Sequence, residues 1–168
     1  MIPGVVSRTL LLAVTLLTAL AACARLTTSE QRVLQGPTAE EIWTATVMLM
    51  TGREPTFDEK HQWEIQIDRR ISQYLHRHPE IANSTEVQIF QFVRQVTVGM
   101  TREQVVVLLG APAAAVKDAA EIEKLARRYW PDIKPKNVTE AWLYPQGWRL
   151  YFGDSRVVDI TQYAERMP

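Results

Sequence analysis

Gly99-Met100-Thr101-Arg102-Glu103-Gln104-Val105-Val106-Val107-Leu108-Leu109-Gly110-Ala111-Pro112 is a segment that states both ends of a helix. Thr101 is placed as N-cap, its hydroxyl accepting from the backbone three residues on, while Gln104 reaches back to the Thr101 N–H and completes a capping box. Met100 and Val105 flank this cap as a hydrophobic staple. At the other end Gly110 can take the left-handed conformation that closes a helix, and Pro112 cannot continue one. The spacing therefore predicts a helix over 102–109.

C-terminal to this helix the period changes. Glu140-Ala141-Trp142-Leu143-Tyr144, Trp148-Arg149-Leu150-Tyr151-Phe152 and Arg156-Val157-Val158-Asp159-Ile160 are short runs rich in aromatic and branched residues. Pro145-Gln146-Gly147 and Gly153-Asp154-Ser155 separate them, which predicts an antiparallel three-stranded meander. Alternation leaves one sheet face for helices and one for solvent or a partner. Trp142, Tyr144, Trp148, Arg149 and Tyr151 are the candidate interaction surface, because Trp, Tyr and Arg concentrate at binding hot spots; the same aromatic residues equally suit a core. Residues 113–137 connect helix and meander through a further short helix expected over 119–129.

N-terminal to the capped helix, another starts at Ser84 or Thr85, with Gln88 three residues after Thr85 and with Val87, Phe90 and Val93 as its buried side. An earlier pair of helices is also legible. Thr38 and Glu41 form a second capping box before Ile42, Ala45, Val47, Leu49 and Met50, and Gly52 and Pro55 end that helix. A longer helix over 58–76 buries Trp63, Ile67, Ile71, Tyr74 and Leu75, with Glu59, Lys60, Asp68, Arg69 and Arg70 on its solvent face.

The first 22 residues carry one charge, Arg8, before an uncharged apolar run from Leu10 to Ala22 that is short for a bilayer span. They read as a secretory signal. The run ends in Leu20-Ala21-Ala22-Cys23, which resembles the lipobox of bacterial lipoproteins. That resemblance implies cleavage between Ala22 and Cys23, with diacylglycerol on the cysteine thiol and an acyl chain, such as palmitate, on the new amino terminus. Cys23 is the chain's single cysteine, so no intramolecular disulfide is open to it. Ala24, where inner-membrane retention uses Asp, implies delivery to the outer membrane, facing the periplasm. Residues 24–37 are polar and aperiodic, as a tether would be.

Without residues 1–22 the chain has 18 basic and 19 acidic side chains. This balance offers no basic footprint for nucleic acid. No phosphate-binding loop, nucleophile elbow or zincin helix is present, so the reading assigns no catalytic residue, metal or cofactor. His76 and His78, two apart beside Glu80, read as a polar helix end near the C-terminal dipole.

The order of elements, together with Val98-Gly99-Met100-Thr101-Arg102-Glu103-Gln104-Val105, Leu109-Gly110-Ala111-Pro112, Trp142-Leu143-Tyr144 and Leu150-Tyr151-Phe152-Gly153-Asp154-Ser155-Arg156-Val157, resembles the SmpA/OmlA (BamE-like) family of small outer-membrane lipoproteins. The resemblance implies a non-enzymatic α+β domain of two helices and three antiparallel strands over 84–168, engaged in protein or lipid contacts at the envelope, such as outer-membrane protein assembly. The expected organisation is a signal peptide at 1–22, a tether at 23–37, a helical extension at 38–83 and this domain. A periplasmic binding or inhibitory module using the sheet face is the alternative.

Overall fold

A computed structural model describes residues 29–81 and 85–164, which form one compact unit from Ser29 to Ala164. The class is α+β. Its strands are β1 (Ser29–Val33), β2 (Gln35–Thr38), β3 (Gln95–Thr97), β4 (Ala114–Val116), β5 (Glu140–Tyr144), β6 (Trp148–Gly153) and β7 (Arg156–Ala164). A five-stranded antiparallel sheet runs in the order β1-β7-β6-β5-β4, and β2 pairs with β3 in a separate ribbon. The helices are α1 (Ala39–Thr51), α2 (Phe57–Arg77), α3 (Thr85–Gln88), α4 (Arg102–Leu109), α5 (Ala119–Ala126) and α6 (Trp130–Ile133).

The α4 capping box forms as its sequence predicts: Gln104 N–H donates to Thr101 Oγ1 at 3.2 Å and Thr101 N–H to Gln104 Oε1 at 2.8 Å. The residues just before it dock on β7. Gly99 N–H donates to the Val157 carbonyl and Val157 N–H to that of Met100, at 2.7 and 2.8 Å. Arg102 then pairs with Glu140 at 3.0 Å and covers the Phe152 ring. The helix thus starts from a fixed point on the sheet. Gly110 ends it at φ 78°, ψ −168°, a mirror-extended conformation and not the left-handed helical one.

The three-stranded meander is present, enlarged at both edges. Within the segment expected as a tether up to residue 37, Ser29–Val33 and the start of Gln35–Thr38 are strands: Val33 pairs with Ile160 and Ser29 with Ala164. Polar sequence suited β1 because its core-side requirement is small at a sheet edge, so no apolar alternation marked it. Nor is 38–83 a separate extension. Ala39, Ile42, Trp63, Ile67, Ile71 and Tyr74 share one core with Val105, Leu108, Trp142, Leu150, Phe152 and Ile160.

The opposite sheet face is covered too. Ile122, Ala126 and Ile133 of α5 and α6 pack on Ala141 and Tyr151 in a second core. The 113–137 connection thereby makes a third layer, so the expected solvent-facing sheet face is closed. Buried Asp159 secures this side, accepting from Arg32 Nη2 at 2.8 Å and Lys136 Nζ at 2.7 Å.

Two local expectations change. The helix from Thr85 widens to a π-helix at Ile89–Val93, with Arg94 N–H reaching the Ile89 carbonyl at 2.8 Å. The wider turn leaves Val87 and Phe90 buried but exposes Val93. At α1, Thr38 Oγ1 accepts from Glu41 N–H, but the Glu41 carboxylate is engaged elsewhere, accepting from Trp148 Nε1 at 2.9 Å. Tertiary pairing replaces half of the capping box.

The sheet has two distinct ends. At one, the β6–β7 hairpin meets Thr101 through its bridge to Arg156, and Arg77 at the end of α2 pairs with Glu103 at 3.0 Å. At the other lie the Ser29–Ala164 pair and the Pro145–Gly147 turn, against which α1 packs. The 21 residues of α2 span about 30 Å. The α1–α2 turn therefore lies at the same end as Ser29.

Candidate functional site

Cys23 and Ala22, the expected lipid-attachment and cleavage residues, lie outside the described residues. The expected aromatic surface does not form. Trp142, Tyr144, Trp148 and Tyr151 are all buried. Trp142, Tyr144 and Trp148 face the α1–α2–α4 layer and Tyr151 the α5–α6 layer, because helices occupy both sheet faces. Burial raises the Tyr144 and Tyr151 hydroxyl pKa values. Tyr144 donates to the Gly110 carbonyl at 2.9 Å, and the Tyr151 and Thr161 hydroxyls pair at 3.1 Å. Arg149 alone among the five keeps partial exposure, and it is held by the Leu125 carbonyl and the Tyr163 ring. These residues are structural, and a sheet-face binding site has no open face here.

An accessible concavity lies in the helical layer, and a larger one, of about 640 Å³, lies at the far end of α2 between Tyr74, Glu80, Thr101 and Arg156. Trp43 of α1 and Trp63 of α2 stack with centroids 4.9 Å apart and planes 15° apart. They wall a groove of about 460 Å³ that Thr46, Gln66, Arg69, Arg70 and Leu109 also line. A second concavity of about 390 Å³ shares Trp43, Trp63 and Gln66 and reaches Val47, Asp58 and Gln62 toward the α1–α2 turn. Helical spacing positions the wall: Trp63 begins the Trp63–Ile67–Ile71–Tyr74 stripe, while Trp43 sits one residue off the Ile42 stripe and so turns to its edge.

The groove has a cationic end. Arg70, expected on the solvent face of α2, points its Nε into protein, where it is buried without a hydrogen-bond partner among the described atoms. Burial lowers the Arg70 pKa. Thr46 Oγ1 is already committed to the Ile42 carbonyl at 2.7 Å. Apolar walls, one amide and two guanidinium groups suit non-covalent recognition of an apolar group carrying an acceptor. They include no nucleophile paired with a base.

At the far end of α2, His78 lies between Glu80 at 3.2 Å and Glu103 at 3.3 Å and packs on Tyr74, while His76 is exposed. Among the described residues no group of three metal-ligating side chains converges, and no helix is long and apolar enough to cross a membrane.

The groove was not legible because it depends on which residues of α1 face α2. A signal existed, however: Val47, Met48, Leu49 and Met50 are more apolar residues than one helix face can bury. Comparison with known proteins gives no matching family model, curated protein or solved structure.

Proposed function

We propose that this chain is a lipid-anchored protein of the outer membrane, facing the periplasm, that works without catalysis as an interaction or assembly module. The observation that carries the reading is Leu20-Ala21-Ala22-Cys23 at the end of an uncharged apolar run. The α+β order around the Gly99–Pro112 helix and the meander supports a BamE-like assignment, and with it a place among proteins that assemble outer-membrane barrels. Proteins of the envelope are the partners, and the Trp43–Trp63 groove is the surface offered to them. A pair of stacked tryptophans beside a guanidinium has the composition of a binding hot spot.

Photo-crosslinking tests the surface. A photoreactive residue at Gln66, exposed in the groove, is expected to capture envelope proteins in intact cells, whereas one at Glu123, exposed on α5, is expected to capture few or none. Equal capture at the two positions, or capture at Glu123 alone, contradicts the assignment of the helical layer.

A further inference from the structure

The α1–α2 turn is polar in its own residues but is flanked on both sides by exposed apolar side chains. Leu49 is 77% exposed, Met50 81% and Phe57 82%, and all three flank the turn at 52–56. No other described element packs over them, yet the turn is firmly built. Gly52 N–H donates to the Met48 carbonyl at 2.9 Å, and Thr51 Oγ1 donates to that of Val47 at 2.8 Å. Thr56 N–H donates to Glu59 Oε2 at 2.7 Å, while Glu59 N–H donates to Thr56 Oγ1. Arg53 forms two bonds to the Glu59 carboxylate, at 2.8 and 2.9 Å, so these two charges neutralise each other, while Glu54 and Asp58 are exposed.

We infer that this tip inserts into the membrane interface, with Leu49, Met50 and Phe57 entering the boundary between headgroups and acyl chains. The inference rests on the lipid-anchor reading. Cys23 precedes Ser29 by six residues, a covalent reach of at most about 20 Å. Ser29 lies at the end of the sheet away from the Arg77–Glu103 pair, and α2 runs about 30 Å from that pair to the hairpin tip. An anchor on Cys23 therefore holds that end toward the bilayer. A lipid interface accepts exposed apolar side chains without a shaped partner, provided that backbone polar groups are satisfied internally. The capping bonds satisfy the N–H groups of Gly52, Thr56 and Glu59 in this way. Contact at two points, the acyl anchor and the tip, would fix the orientation of the domain and keep the Trp43–Trp63 groove at a set height above the membrane.

Depth-dependent quenching tests this in the full-length protein purified from membranes and reconstituted in phosphatidylethanolamine–phosphatidylglycerol vesicles. An environment-sensitive dye is attached to cysteine in M50C and, as the control, in H76C, whose site is exposed near the opposite end of α2. Spin-labelled lipids are expected to quench the dye at 50 at least twofold more than at 76, with a blue-shifted emission only at 50. L49D/F57D in the M50C background, which alters exposed side chains alone, should abolish the difference. Equal quenching at 50 and 76 overturns the inference, as does a blue shift at 50 without lipid quenching, since a second copy or another protein then covers the tip. The unsubstituted chain separates this from failure of the anchor reading. Cys23 that takes up dye is not acylated, whereas a chain that takes none while position 50 stays unquenched overturns tip insertion alone.

Discussion

Gly147→Ala is expected to destabilise the folded unit by about 3 kcal/mol or more, enough to remove much of the stability of a small domain. A Cβ on Gly147 would lie 1.6 Å from the Tyr163 carbonyl oxygen and 2.5 Å from its carbon, and both belong to the β7 backbone. No rotamer change relieves such a clash. The turn joining β5 to β6 must lift away from β7, which disturbs the Trp148–Gln162 register beside it. Residue 147 also has φ 74°, a conformation that costs an L-residue about 1–2 kcal/mol. Gly110→Val separates the two contributions. Gly110 shares a positive φ of 78° but has open space around its added Cβ, so its substitution should cost about 1–3 kcal/mol from the backbone. Urea unfolding of both variants measures the difference; equal losses would show that close approach to β7 contributes nothing.

Asp159→Ala is the second large loss, expected at about 2–4 kcal/mol. The carboxylate is almost fully buried and accepts from Arg32, Lys136 and the Ile160 N–H, the last at 2.9 Å. Deletion removes the joint between β1, the segment before β5, and β7. It leaves two cations beside a buried space, although both are about one-third exposed and can regain water, which limits the cost below that of a fully enclosed pair. Asp159→Asn, which keeps shape and some acceptor capacity, should lose less. Chemical denaturation of the two variants ranks them, and an alanine variant as stable as the parent would contradict this role.

Gly147 was legible as part of a hairpin link but not its close approach to β7, and Asp159 did not stand out at all, for reasons that follow from the layering. Local signals specified local structure. Thr101 and Gln104 bound the helix at one end and Gly110 at the other, and the glycine-containing links marked the meander, because caps and hairpins are decided by residues a few positions apart. Asp159 looks like the polar member of an alternating strand whose one face meets water. It is buried because residues 119–133 return to cover that face, a long-range event that leaves no period in β7. The same covering explains why Tyr151 is core, and α1, α2 and α4 explain it for Trp142, Tyr144 and Trp148. Aromatic strand residues suit a core and a binding surface equally, so their type could not separate the two. The groove depends on α1 against α2, and Arg70 moved from the expected solvent face to its wall because the α1–α2–α4 packing closes around its stem.

Together the fold and sequence describe a module whose sheet is interior and whose helices offer the surface. The proposed lipid anchor would decide where that surface works. Intact-mass and N-terminal peptide analysis of the protein extracted from bacterial membranes tests the anchor most directly. The account predicts a mature chain that begins at Cys23 and carries diacylglycerol on Sγ, with Cys23→Ala left uncleaved and unlabelled by fatty acid. A chain with an unmodified Cys23 thiol, or a mature terminus at another residue, would contradict it.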